Sequence, residues 1–352
     1  MNDTRATGSE PKNQRAEGLS AQAQGRGPLT GVAPLGERAD GPVVITPKPS
    51  QPDLLSWAKE ARDHLDGLVD QHKALLFRGF GIETVSKFQG LLASLGADLL
   101  EYSERSTPRS TVEGRVYTST EYPNSHEIPM HNENSYSAKW PRRILFCCLQ
   151  PAQQGGATPI ADSRAVYAGI DESIRRTFLE KKVMYLRNFG QGVDLSWQDA
   201  FQTEERQKVE AYCRSSGISY QWFDNGNCLH THQVRPAALS YLPTGERVWF
   251  NQAHLFHISS LEPSLRRSLS ALFSEDRLPR HACYGDGSPI EDEILEEIRG
   301  VYERLRMPVE WQKGDVLLLD NLFYAHGRFP FAGQRRVVVA MDGDGRPDTS
   351  SL

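Results

Sequence analysis

The sequence predicts an α+β protein built around a β-barrel or sandwich. Short strand-like segments are interrupted by amphipathic helices, without the regular strand–helix alternation of a doubly wound sheet. The 352 residues show no internal repeat at a period of 20–50 residues. No Gly-rich phosphate loop opens a helix, and Gly285-Asp-Gly287, lacking a third glycine and a preceding strand, reads as a turn. Composition narrows the class further. Lys and Arg number 40 against 45 Asp and Glu, a net charge of −5, which excludes a protein that binds nucleic acid chiefly by positive charge. Apolar runs such as residues 144–149 and 316–319 fall far short of the roughly 18 needed to cross a bilayer, so no membrane partner is expected. Five cysteines cannot form a disulfide framework. Cys147 and Cys148, adjacent in one apolar run, should project to opposite faces of a strand as small core residues in a reducing compartment. No apolar stretch follows Met1, so no secretory signal is expected and a cytoplasmic location follows.

In chain order, residues 1–41 are expected to form a disordered tail. The first 40 hold six glycines, balanced charges and no aromatic residue, too little apolar surface to offset ordering entropy. One domain is expected over 42–345, with 346–352 as a C-terminal tail. Trp57, Ala61, Leu65 and Leu68 at helical spacing predict a helix over 56–72, then a strand over 74–80 and a helix over 85–95. Residues 112–165 read as strands and loops. Further helices are expected over 171–182, 197–215, 263–274 and 291–306. Strands are expected over 183–187, 219–223, 247–251, 316–320 and 336–341.

The local feature richest in chemistry is His131-Asn-Glu133. On an extended segment positions i and i+2 share a face, so imidazole and carboxylate project into one space. A third ligand must come from elsewhere, and His326, just after the apolar strand at 316–319, is the candidate. Two histidines and one carboxylate on one face of a metal leave three positions open, which suits non-haem Fe(II) with cosubstrate and O₂; zinc on the same ligands would make a hydrolase. Alone, His-X-Glu is more often a surface hydrogen-bonding pair. Gln334-Arg-Arg336 follows, opening a strand, and an arginine suits the far carboxylate of a dicarboxylate cosubstrate. Strand alternation sends Arg335 and Arg336 to opposite faces, so one of them points inward. Gly155-Gly-Ala-Thr158 adds a tight turn and a hydroxyl 27 residues after His131.

Together these elements resemble the taurine dioxygenase/clavaminate synthase-like (TauD/TfdA) family of Fe(II)- and 2-oxoglutarate-dependent oxygenases, over roughly residues 45–345. The resemblance implies a distorted double-stranded β-helix (jelly roll) with flanking and inserted helices. It also implies Fe(II) as metal, with 2-oxoglutarate and O₂ as cosubstrates. By the same likeness His131, Glu133 and His326 are iron ligands and Thr158 and Arg336 contact 2-oxoglutarate, Arg336 being chosen by aligning the family's Gln-Arg-Arg. No residue beyond the metal centre is nominated as catalytic. Thr118–Pro123, His131–Tyr136, Gly155–Arg164 and Trp249–His254 are similar to SyrP-like hydroxylases of peptide natural-product pathways.

The resemblance implies hydroxylation of an unactivated C–H bond. Glu133 in place of Asp is similar to the branch acting on amino acids, and its presence disfavours chlorination, since related halogenases lack the carboxylate. Ala340 stands where the taurine enzyme has a sulfonate-binding arginine, which disfavours an alkylsulfonate. The expected partner is an amino-acid-derived small molecule, free or tethered to a peptidyl carrier protein. Desaturation, epoxidation or cyclisation is the alternative outcome at the same centre. A catalytically silent binding protein is the alternative of another class. Glu121, Tyr122, Arg187, Trp249 and Asn251 are the substrate-contact candidates, while His230-Thr-His232, without a third ligand, reads as strand or turn histidines.

Overall fold

Alternation along a few long strands decides the architecture. The computed structural model describes residues 30–36, 41–47, 54–101, 104–107, 110–119, 122–190, 192–345 and 349–351. Its main sheet has eight strands in the order Thr30–Pro34, Val43–Pro47, Ala74–Phe77, Val316–Asp320, Pro141–Gln150, Arg336–Asp344, Val116–Thr118 and Thr111–Glu113. One face packs Val43, Ile45, Leu75, Leu145, Cys147, Leu318, Val338 and Ala340 under the helices Leu54–Glu60, Arg62–His72 and Val85–Leu95, through Trp57, Leu65, Phe88 and Leu91. The other face turns Leu76, Phe146, Cys148, Leu317, Val337 and Val339 inward, where they share one apolar filling with Ile160 and Tyr324 of a second sheet. Cys147 and Cys148 therefore do lie on opposite faces, and all five cysteines are free.

The second sheet, Met307–Val309, Thr158–Asp162, Tyr324–Arg328 and Ile128–His131, is antiparallel throughout. A separate two-stranded antiparallel ribbon pairs Gln154–Gly155 with Phe331–Ala332. Gly155 sits at φ +66, and a Cβ there would come 2.4 Å from the Pro330 carbonyl, so glycine is what lets the ribbon strands approach. A third sheet, Ser219–Phe223, Cys228–Arg235, Val183–Phe189 and Arg280–Tyr284, is inserted beyond this core. A further three-stranded sheet pairs Glu246–Trp249, Ala238–Tyr241 and Thr349–Ser351. The result is a mixed α+β fold with extensive sheets.

Several expectations need correction. The strand Thr30–Pro34 lies within the expected tail, paired antiparallel with Val43–Pro47; main-chain ladder bonds place it at a sheet edge without much apolar burial. Thr349–Ser351, expected as tail, likewise pairs with Ala238–Tyr241. The helix expected over 56–72 is two helices that break at Ala61 (φ −101, ψ 18). That over 197–215 is also two, Trp197–Phe201 and Arg206–Ser215, because Gln202 turns left-handed. The histidines at 230 and 232 lie on the strand Cys228–Arg235. Among the described residues no helix is long and apolar enough to cross a membrane.

Candidate metal centre

Ladder register brings the two histidines together. His131 pairs directly with His326 across adjacent strands, and their rings lie 4.5 Å apart. Glu133, two residues on, is 3% exposed, and its Oε2 lies 3.8 Å from His326 Nε2. One ligand atom from each of the three falls within 4.8 Å of the others. His131 Nδ1 meets the Pro129 carbonyl at 2.8 Å. A carbonyl can only accept, so Nδ1 carries the proton and Nε2 is left with its lone pair for a metal. Two imidazoles and a carboxylate, largely buried and brought together, form a donor set suited to a divalent transition metal with open positions.

The turn that carries Glu133 is braced from every side. Asn321 Oδ1 accepts the Glu133 N–H at 2.8 Å, and its Nδ2 donates to the Glu133 carbonyl at 3.0 Å and the Pro141 carbonyl at 3.0 Å. Asn132 Nδ2 donates to Ser163 Oγ at 3.1 Å and to the Asn321 carbonyl at 2.7 Å, while Gln252 Nε2 donates to the Asn132 carbonyl at 2.7 Å. His254 Nε2 sits 2.9 Å from the Met130 carbonyl, directly behind the ligand strand. Burial pushes His254 down to about 4, so it is a neutral donor to that strand at neutral pH.

A chamber opens beside the histidines, lined by Ser119, Ile128, His131, Phe146, Thr158, His326, Gly327, Arg328, Arg335 and Val337. Phe146 lies 5.1 Å ring to ring from His326 and gives the chamber an apolar wall. Thr158 Oγ1 accepts from Trp311 Nε1 at 3.0 Å, which leaves its own hydroxyl hydrogen to donate. Arg335 reaches in, its Nε donating to the Gly156 carbonyl at 3.0 Å. Burial first, and the facing Arg328 guanidinium second, push Arg335 down to about 10, so it stays charged at neutral pH.

The arginine expected here was Arg336. It is exposed, whereas its neighbour Arg335 lines the chamber. Strand parity gives the reason: Val337 and Val339 face the inter-sheet core and Val338 and Ala340 face the helices, so the inward series begins at Arg335. Of the substrate-contact candidates, Glu121 lies outside the described residues. Tyr122 is 47% exposed, and its carbonyl accepts from Arg328. Trp249 is fully buried against Phe178 in a core cluster, so its role is packing. Asn251 is spent on the Ala237 carbonyl and the Ala253 N–H. Arg187 is buried on the third sheet, donating to the Arg105 carbonyl at 2.9 Å, with Nε and Nη1 unmet. None of these four lines the chamber. Asn321, Gln252, His254 and Trp311 carry no ligand-like spacing, and sequence reasoning assigned them no role.

Fold and side-chain trio together are what a non-haem metal oxygenase with two histidines and one carboxylate would need. Comparison with known proteins makes this specific. Residues 38–341 match the family described as taurine catabolism dioxygenase TauD, TfdA family, and the chain belongs to that family. It is an Fe(II)- and 2-oxoglutarate-dependent dioxygenase. It is 45% identical over 277 residues to the dapdiamide synthesis protein DdaC of Enterobacter agglomerans, covering 79% of this chain and 84% of that one. A clavaminate synthase-like protein of Arabidopsis thaliana is 29% identical over 309 residues, 85% and 90% of the two chains. The solved structure of PvcB from Pseudomonas aeruginosa superposes with a TM-score of 0.54 at 16% identity, over 91% of this chain and 93% of that one, a likeness of fold.

Proposed function

We propose that His131, Glu133 and His326 hold Fe(II) and that Thr158 and Arg335 receive the far carboxylate of 2-oxoglutarate. The enzyme then hydroxylates an unactivated C–H bond of an amino-acid-derived substrate in a biosynthetic pathway. The observation that carries this is a single chamber whose lining holds both histidines together with a hydroxyl donor and a charged guanidinium. When bound, Fe(II) and 2-oxoglutarate supply an O₂-derived oxidant strong enough for such bonds, and 2-oxoglutarate leaves as succinate and CO₂. The chain's own residues set geometry. Pro129 fixes the His131 tautomer, Asn321 holds the Glu133 main chain, and Ile128, Phe146 and Val337 keep the chamber wall apolar.

The two sheets sharing one apolar filling favour a distorted double-stranded β-helix with helical insertions, spanning one domain. The biosynthetic setting rests on the likeness to DdaC, described as a dapdiamide synthesis protein. Four residues beyond Arg335 stands Val339, apolar like Ala340, so the argument against an alkylsulfonate holds with the corrected register. The test is incubation of Fe(II)-loaded protein with 2-oxoglutarate and a panel of free and carrier-tethered amino acids. Substrate-stimulated succinate together with the gain of one oxygen atom by a substrate without a C=C bond supports hydroxylation, whereas the same gain at a C=C bond points to epoxidation. Succinate with loss of two hydrogens points to desaturation or cyclisation, and a panel that never stimulates succinate overturns the amino-acid reading. Arg335→Gln should weaken 2-oxoglutarate binding by about tenfold or more, read by calorimetry on Mn(II)-loaded protein.

A further inference from the structure

The chamber contains a second guanidinium that the proposed function leaves unused. Arg328 stands two residues past His326 on one strand, so both side chains project to the same face. It is 5% exposed and lines the chamber together with Arg335. Its Nη1 donates to the Tyr122 carbonyl at 3.0 Å, and its Nη2 to the carbonyls of Pro123 at 2.7 Å and His126 at 2.8 Å. All three acceptors belong to one loop, residues 122–126, which is also tied to the two-stranded ribbon by the Phe331 N–H on the Asn124 carbonyl at 2.8 Å.

The kind of acceptor is what matters. A buried guanidinium must have its N–H groups met, and a carboxylate is the usual way to meet them. A carboxylate would also cancel the charge and repel an anionic cosubstrate. Main-chain carbonyls meet the Arg328 Nη groups and leave the charge in place, while its buried Nε is without a hydrogen-bond partner. Arg335 is treated in the same way, by the Gly156 carbonyl and Ser119 Oγ. Among the described residues neither arginine has a carboxylate within 4.0 Å, and the chamber lining holds none. Two like charges thus face one small space, an arrangement that repels itself until an anion enters.

We propose that Arg328 is a positioning residue for the cosubstrate. It pins residues 122–126, the loop that leads to the chamber-lining Ile128, and its uncancelled charge favours a 2-oxo dicarboxylate over a 2-oxo monocarboxylate. This rests on the assignment of Arg335 and Thr158 to the far carboxylate.

The test uses full-length Mn(II)-loaded protein, 2-oxoglutarate and 2-oxovalerate, with calorimetry and amide hydrogen exchange as readouts. Arg328→Gln removes both fork and charge, and Arg328→Lys keeps the charge alone. The glutamine variant should lose about tenfold or more in 2-oxoglutarate affinity and clearly less for 2-oxovalerate, with the lysine variant between them. Exchange across 122–126 should speed up in both. Binding of 2-oxoglutarate within about twofold of wild type, equal losses for both acids, or unchanged exchange would each overturn the proposal. If neither variant folds, the wild type decides: 2-oxoglutarate should slow exchange at 122–126, and no change overturns the inference. Arg335→Gln separates the two claims. If it leaves 2-oxoglutarate binding intact, the chamber assignment falls; if it abolishes binding while Arg328→Gln does not, the Arg328 inference alone falls.

Discussion

The chamber and the inserted third sheet use charge in opposite ways. In the insert, charges are spent on structure. Arg280 grips Asp194 with Nε on Oδ2 at 2.8 Å, and the Glu104 carboxylate accepts from Ser137 Oγ at 2.7 Å, Tyr212 at 2.8 Å and Gln233. In the chamber two arginines are met by carbonyls and a hydroxyl, and their charge stays available. The regions join at the turn after Glu133, where the Tyr136 hydroxyl donates to the Glu104 carbonyl at 2.7 Å. Asp194 cancels Arg280 in the insert, whereas Arg328 and Arg335 face no carboxylate among the described residues. Arg187, buried in the insert on the Arg105 carbonyl, shows that a carbonyl partner does not by itself mark a ligand site.

The largest expected effect tests the chamber's metal end. His326→Ala should lower metal content and 2-oxoglutarate turnover by more than about 100-fold, beyond the loss typical of an outer partner. Retained stoichiometric metal in that variant would move the site elsewhere. Next comes the brace. Asn321→Ala leaves the buried Glu133 N–H without its acceptor, at a cost of roughly 1–3 kcal/mol in unfolding free energy. It should also weaken metal binding by about 10–100-fold. A variant with wild-type metal affinity but lower stability would make Asn321 purely structural.

The insert should break differently, through pH. Burial raises Asp194, but the Arg280 charge and hydrogen bond outweigh it, and the carboxyl lies below its ordinary 3.8. A carboxyl lowered in the folded state stabilises in full above its unfolded value and stops contributing as pH falls through the folded one. Asp194→Asn should therefore cost roughly 1–3 kcal/mol at pH 7. The gap to wild type should narrow once pH drops below about 4. Denaturant unfolding at pH 7, 5 and 3.5 would show it, and a gap that widens in acid would refute the assignment. Turnover by the surviving folded protein should change little.

How much of this was legible beforehand follows the same division. The proposed ligand trio, whose side chains the fold brings together, was readable because His131-Asn-Glu133 and His326 combine local spacing with an apolar strand on the C-terminal side of the sequence. The long inner strands were readable because Val316–Asp320 and Arg336–Asp344 are apolar runs. The strand Cys228–Arg235 was not, because its buried face carries Thr231 and Gln233, and Gln233 finds its partner, Glu104, 129 positions away. Asn321, Gln252 and His254 were hidden for the same reason. Each satisfies a main-chain group of a segment distant in sequence, and no local pattern marks such a contact. Nothing in the residue type at Ala61 marks the helix break there.

Arg336 stands apart, because parity narrows the choice to two neighbours and stops there. Val337, Val339 and Met341 alternate with Val338 and Ala340, both sets are apolar, and an inward odd set would carry Arg335 while an inward even set would carry Arg336. The family pattern points to Arg336, and only the packed sheet, with the odd set facing the second sheet, selects Arg335. The smallest expected effect follows from this. Arg336→Gln removes a charge of the same sign, one position from Arg335, but on the solvent side. Solvent screens it, so 2-oxoglutarate affinity on Mn(II)-loaded protein should stay within about twofold of wild type. Stability should shift by no more than about 0.5 kcal/mol. A loss as large as that of Arg335→Gln would mean that the bulge recorded between Arg336 and Val337 lets the two arginines exchange places when cosubstrate binds. Comparing these neighbouring variants at equal ionic strength therefore measures the chamber's preference for charge by position, with net charge held constant.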